Sequence, residues 1–337
     1  MFYVTLPDVY LSLDGENIVV LKDSEVLKRV PLHNLEGIVT FGYAGASPAL
    51  MGACAEKNIS LTFLTANGRF LASVVGIDKG NVTLRKTQYR CSENDEESCA
   101  IARNILIGKL HNSRWVMERA IRDHALRIDT ERVQRVTEQI SGSISQLRQA
   151  EASGALFGIE GEAASRYFSV FDELILQNKK DFFFHSRSRR PPLDNVNAML
   201  SFVYTLLEGD ATAALSSVGL DPYVGFLHKD RPGRRSLALD LLEELRAPLA
   251  DRFVLTLINT RQIDPSGFYQ KENGAVLMRD DTRKDFLTAW QARKNEKITH
   301  PFLKEKIEWG LVVHAQALLL ARTLRGDLDE YPPFLWK

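Results

Sequence analysis

The stretch Val133-Gln-Arg-Val136-Thr-Glu-Gln-Ile140-Ser-Gly-Ser-Ile144-Ser-Gln-Leu147 steps its large apolar residues by three or four positions. At 3.6 residues per turn those side chains share one face, which predicts an amphipathic helix. Residues 195–207 and 237–249 repeat the pattern, and residues 311–324 are nearly all apolar, as a buried helix near the C-terminus would be. Breaks fall at Arg190-Pro191-Pro192, Arg231-Pro232-Gly233 and Asp264-Pro265-Ser266-Gly267. Proline and glycine interrupt helices there. Helical periodicity therefore governs residues 91–337, which read as a larger all-α domain.

Upstream the period changes. Residues 3–6, 9–13, 18–21, 26–32 and 37–41 are short runs rich in β-branched, aromatic and other large apolar residues. Asp14-Gly15-Glu16-Asn17 between two of them is turn chemistry. Ser47-Pro48 reads as an N-cap followed by proline at the first helical position, opening a helix over 49–56 that ends near Lys57-Asn58. Residues 59–65 return to strand, and Asn67-Gly68 predicts a tight hairpin into residues 70–75. The fold class is α+β, with a small β-rich, sandwich-like N-terminal domain over residues 1–90 ahead of the all-α domain. The acidic run Ser92-Glu-Asn-Asp-Glu-Glu-Ser98 reads as a linker entering the negative first turn of a helix.

Bulk composition excludes several classes. Hydrophobic residues make up 45% of the chain, enough for a genuine core. No apolar run reaches the ~18 residues of a membrane span. The opening Met1-Phe-Tyr-Val-Thr-Leu-Pro lacks a basic stretch followed by an apolar segment, so no signal peptide is expected. The three cysteines, Cys54, Cys91 and Cys99, fit neither a zinc site nor a redox pair. Reduced thiols and a cytoplasmic location are the simplest expectation. The net charge of +0 argues against indiscriminate coating of nucleic acid, while local basic patches remain compatible with phosphate contacts.

Three places put ligand-type side chains where a helical domain has no packing need for them. In Gly158-Ile-Glu160-Gly161-Glu-Ala-Ala164, small neighbours leave room beside the Glu160 carboxylate. The plainer reading is a first-turn Glu placed for the helix dipole. His228 ends a short apolar run and enters the loop Lys229-Asp-Arg231-Pro-Gly233. Loop histidines on rigid scaffolds often carry function, although a surface loop histidine is the plainer reading. In Ser236-Leu-Ala-Leu-Asp240-Leu-Leu-Glu243-Glu244-Leu-Arg246, the leucines at 237, 241 and 245 bury one side. Asp240 and Glu243 share a neighbouring face. Adjacent carboxylates repel unless a cation lies between them, and a solvated acidic face is the plainer reading. Periodicity does not choose between Glu243 and Glu244. One histidine with two or three carboxylates and no thiolate points to a divalent cation, Mg²⁺ or Mn²⁺ rather than structural zinc. Arg187, Arg189, Arg190, Lys229, Arg231, Arg234 and Arg235 lie close to this set in sequence and are candidate DNA phosphate contacts.

Gly158-Ile-Glu160-Gly161-x-Ala-Ala-x-x-Tyr-Phe, then Arg189-Arg190-Pro191-Pro192-x-Asp194-x-Val196-Asn197-Ala198-x-Leu200-Ser201-Phe202-x-Tyr204-x-Leu206-Leu207, then the His228 loop and Ser236-Leu-Ala-Leu-Asp240-Leu-x-Glu243-x-x-Arg246 occur in fixed order. In order and spacing they resemble the CRISPR-associated endonuclease family that integrates new spacers, and most of all its members from class I systems. Residues 80–85, Gly-Asn-Val-Thr-Leu-Arg, are similar but less distinctive. The resemblance implies an N-terminal dimerisation domain, a helical catalytic domain and a homodimer that binds double-stranded DNA and a small companion protein. By motif position it implies Glu160, His228 and Glu243 as ligands of Mg²⁺ or Mn²⁺. Many relatives carry Asp at position 243, so Asp240, one turn earlier, stands as the alternative third ligand. The implied chemistry is spacer insertion by phosphodiester transesterification. A structure-selective repair nuclease and a non-catalytic DNA-binding scaffold are the competing readings.

Overall fold

In the computed structural model the described residues are 2–6, 8–35, 37–57, 59–65, 70–74 and 81–337. They form two compact units. One comprises residues 1–80 with 279–291, and the other residues 81–278 with 292–337.

The first unit builds on β1 (Phe2–Val4), β2 (Tyr10–Asp14), β3 (Asn17–Lys22), β4 (Glu25–Pro31), β5 (Gly37–Phe41), α1 (Pro48–Glu56), β6 (Ser60–Leu64) and β7 (Phe70–Val74). β2, β3 and β4 form an antiparallel meander, and the other sheet runs β1-β5-β6-β7 with β1–β5 and β5–β6 parallel. Both turns of the meander are two residues long. Gly15, at φ +59°, opens the first, and Asp23 and Ser24 both sit at positive φ in the second. Two positive-φ residues match the right-handed twist of the flanking strands. Ser47 caps α1 as the sequence predicts, its hydroxyl accepting from the Leu50 amide at 3.2 Å. Leu11, Ile18, Leu32, Ile38, Leu50, Cys54 and Leu61 close the core between the sheets and the helix. The predicted Asn67-Gly68 hairpin lies outside the described residues.

The second unit is helical. It contains α2 (Val82–Glu93), α3 (Asp95–His124), α4 (Thr130–Gln149), α5 (Ser153–Ser169), α6 (Asn195–Ser217), α7 (Ser236–Leu245) and α8 (Arg252–Asn259). Two small hairpins were not anticipated, β8 (Phe268–Gln270) with β9 (Val276–Met278) and β10 (Lys297–Thr299) with β11 (Lys306–Glu308). Three-residue strands are too short to show a period in sequence. The boundary between the units falls within α9 (Asp280–Asn295), and α10 (Trp309–Leu324) closes the list of helices among the described residues.

Residues 92–98 are not a linker, although Asp95, Glu96 and Glu97 do form the negative first turn expected of the following helix. α2 runs through Glu93 and α3 begins at Asp95, with Asn94 alone between them. The Asn94 side chain accepts from the Glu96 and Glu97 amides, so one residue ends one helix and caps the next. Residues 237–249 are not one regular helix either. After Leu245 the chain makes a π-helical turn over Arg246–Asp251 that contains Pro248, whose missing N–H an α-helix could not accommodate. The apolar face of α4 is as predicted, with Val133, Val136, Ile140, Ile144 and Leu147 all buried.

Candidate metal centre and nucleic-acid-processing site

α3 packs against both α5 and α7. Gly108 permits the close approach. A Cβ there would lie 3.1 Å from Glu244 Cγ and 3.2 Å from Pro333 Cβ. Its neighbour Lys109 thus enters the cleft between the two acidic helices, with its side chain only 12% exposed.

Glu160 sits two turns into α5, so it is not the first-turn residue of the plainer reading. Open space surrounds the positions where Gly158 and Gly161 lack a Cβ, in line with the room expected there. The Glu160 carboxylate pairs with the Lys109 ammonium. The same Nζ lies 2.7 Å from Glu243 Oε2, while Arg246 reaches Glu243 Oε1 at 3.1 Å. One ammonium therefore bridges two carboxylates from helices far apart in sequence. Burial pushes the Glu243 carboxyl up, but Arg246, then Lys109 and His228, outweigh it and hold the group at about 2.

The structure separates the three acidic residues of α7 by what each one touches. Glu243 faces Lys109. Glu244 faces the C-terminal segment, where its Oε2 accepts from the Phe334 amide at 2.7 Å and from Gln316 Nε2 at 3.0 Å, and burial pushes its pKa up to about 8. Asp240 is fully buried and holds the His228 loop. Its Oδ2 accepts from the amides of Phe226 and Leu227 at 2.7 and 2.9 Å, and its Oδ1 from the amide of His228 at 2.9 Å. Oδ1 also lies 2.6 Å from His228 Nδ1. Gly225 is indispensable to this wrap, because a Cβ there would meet Asp240 Oδ2 and the His228 carbonyl oxygen at 2.8 Å. The loop is pinned from outside as well. Gln88 Nε2 donates to the carbonyls of Asp221 and Val224, and Ser98 Oγ to that of Phe226.

A buried polar layer backs the cluster. Tyr167 of α5 and Tyr204 of α6 both donate to Asp251, and the guanidiniums of Arg187 and Arg246 lie 5.3 and 5.0 Å from the Tyr204 ring centroid. The cation–π contact with Tyr204 helps to hold Arg246 where it pairs with Glu243.

The basic candidates divide. Arg187 turns inward, donating to Asn197 Oδ1 at 2.7 Å and to Ser201 Oγ at 3.0 Å. Arg235 lies 3.8 Å from Glu208 Oε1, and Arg234 is half-buried. Arg189, Arg190, Lys229 and Arg231 are exposed. Sequence reasoning missed Lys109 and the role of Gly225, and gave no role to Arg246 although it closes the third motif. Lys109 lies more than fifty residues from Glu160 in the chain, and only the packing of α3 between α5 and α7 reveals it.

Among the described residues no three histidine, cysteine or carboxylate side chains already stand as a cluster able to hold a metal ion. The donor set nevertheless fits one. Glu243 Oε2 is buried without a hydrogen bond of good geometry, and what it faces is a cation, the Lys109 ammonium. With Nδ1 of His228 held by Asp240, Nε2 is the nitrogen left to a ligand, the arrangement of carboxylate–histidine–metal sites.

A family model described as CRISPR associated protein Cas1 matches residues 2–292, and the chain belongs to that family. A relative in Chlorobaculum tepidum, named CRISPR-associated endonuclease Cas1 1, is 51% identical over 335 residues, covering 99% of this chain and 98% of its own. Two solved structures share the fold. A casposase bound to integration product has TM-score 0.84 at 23% identity, covering 99% of this chain and 93% of its own. A Cas6-RT-Cas1–Cas2 complex has TM-score 0.83 at 22% identity, covering 100% of this chain and 36% of that one. No helix among the described residues is long and apolar enough to cross a membrane, and the three cysteines are free and buried.

Proposed function

We propose that this chain is a metal-dependent DNA endonuclease and integrase that inserts spacer DNA into a CRISPR repeat array by phosphodiester transesterification. The carrying observation is the convergence of Glu160 and Glu243 on one ammonium beside a histidine fixed by Asp240. Glu160, Glu243 and His228 Nε2 would hold Mg²⁺ or Mn²⁺. Bound there, the ion supplies Lewis-acid polarisation of a scissile phosphate and stabilises charge that builds as a 3′-hydroxyl attacks.

The chain's own residues prepare that site. Asp240 fixes which ring nitrogen of His228 faces the cleft, and Arg246 keeps Glu243 ionised throughout the physiological range. Arg189, Arg190, Lys229 and Arg231, exposed near the site in sequence, suit a DNA backbone. No protein nucleophile is needed, because the attacking hydroxyl belongs to DNA. The Cas2-containing complex among the structural neighbours supports a small companion protein, and we extend the reading to a homodimer in the cytoplasm. The shared designation of the full-length relatives as CRISPR-associated endonucleases favours integration over a repair nuclease or an inert scaffold.

The test is strand transfer by Glu160→Ala with purified companion protein in Mg²⁺ or Mn²⁺. The proposal expects joined product to disappear. Unchanged joining overturns the assignment of Glu160.

A further inference from the structure

Lys109 belongs to neither the sequence motifs nor the ligand set, yet it is the residue on which the site converges. Its ammonium contacts Glu160 and lies 2.7 Å from Glu243 Oε2. Two carboxylates this close repel, and a cation between them removes that repulsion. In this structure the cation is the side chain of Lys109. Its stem enters beside Gly108, which lets α3 lie close to α7, so the placement is built into helix packing.

We infer that Lys109 is a resident placeholder cation. It holds Glu160 and Glu243 together when the site contains no divalent ion, and it competes with that ion for the same oxygens. It is a positioning residue. Its consequence is a metal site that stays assembled without metal, at the expense of affinity. Glu243 retains Arg246 on its other oxygen, so withdrawal of the ammonium leaves the carboxylate charged and oriented.

The inference rests on the proposed ligand set, and the experiment separates the two. Mn²⁺ affinity is measured by the electron paramagnetic resonance signal of free Mn²⁺, alongside the melting temperature of metal-free protein. Lys109→Met keeps the length and apolar stem but removes the charge. Removing one positive charge a few ångströms from the ion tightens Mn²⁺ binding by at least about tenfold. The metal-free protein then melts lower than wild type. Lys109→Arg, which keeps the charge, stays within about threefold of wild-type affinity. Lys109→Gln replaces Lys109→Met, with the same expectation, if circular dichroism shows the methionine variant unfolded. Folded Lys109→Met or Lys109→Gln binding Mn²⁺ no tighter than wild type overturns the placeholder. If wild type and Glu160→Ala bind Mn²⁺ equally, it is the ligand set that fails.

Discussion

His228 Nδ1 lies 2.6 Å from Oδ1 of Asp240, and the same carboxylate receives the backbone amides of residues 226, 227 and 228. A buried carboxylate thus defines both the path of the loop and the orientation of the ring. Each of its oxygens lies within hydrogen-bond distance of two nitrogens, so we propose Asp240 as a support for the His228 ligand. Asp240→Asn replaces one acceptor with a donor that faces backbone N–H groups. We expect Mn²⁺ affinity to fall about 10- to 100-fold and stability to fall by about 1–3 kcal/mol. Calorimetric titration with Mn²⁺ and denaturant melts measure the two effects. Affinity equal to wild type would assign Asp240 no part in orienting His228.

Gly225→Ala should act on the same wrap without touching a polar side chain. The added methyl would sit 2.8 Å from Asp240 Oδ2 and 2.9 Å from Ser236 Cβ, and Ser236 is buried. Overpacking of this kind costs about 1–3 kcal/mol. Strand transfer should fall with it, because the ring moves with the loop. A variant that is destabilised yet fully active would separate the loop path from the site.

Asp251 sets a pH dependence. Burial raises its pKa to about 6, against the lowering effects of Tyr204, Tyr167, Arg246 and Arg187. Between the unfolded value of 3.8 and about 6 the folded chain holds a proton that the unfolded chain has released. Stability from this group is therefore fully present below pH 3.8, declines as pH rises to about 6 and is level above that. The slope is at most about 1.4 kcal/mol per pH unit. Asp251→Asn removes the titration, so the stability of wild type minus that of the variant should decline with pH across that window. A difference that stays flat from pH 4 to 6 would refute the assignment.

The division among the basic residues is testable by salt. Replacing Arg189, Arg190, Lys229 and Arg231 together with Ala should flatten the slope of log affinity for duplex DNA against log salt by about 1 per residue that contacts a phosphate. Melting temperature should scarcely move, since these side chains are exposed. Arg187→Ala should do the reverse, lowering stability by breaking bonds to Asn197 and Ser201 with little change in slope.

Much of the fold was legible because periodicity reports burial. The α4 stripe, the Ser47 cap and the Asp14–Asn17 turn all rest on local physics, and each stands where the sequence put it. Asn94 ends one helix and caps the next, and a lone capping residue leaves the same polar signature in sequence as a short linker. The π-helical turn at Arg246–Asp251 leaves no sequence signal, because Leu245 and Leu249 continue the helical period past Pro248. At the candidate site, residue type and resemblance single out Glu160, His228 and the acidic helix as proposed ligands. Sequence does not choose among Asp240, Glu243 and Glu244, since neighbouring side chains on one helix differ only in what they meet across the packing. Lys109 had no local signal at all.

The most direct test of the account is the position of Mn²⁺ in a crystal of the metal-loaded protein, read from its anomalous scattering. The account predicts one peak within bonding distance of Glu160, Glu243 and His228 Nε2, with the Lys109 ammonium withdrawn from between the carboxylates. A peak elsewhere, or none there at a Mn²⁺ concentration that supports strand transfer, would contradict it.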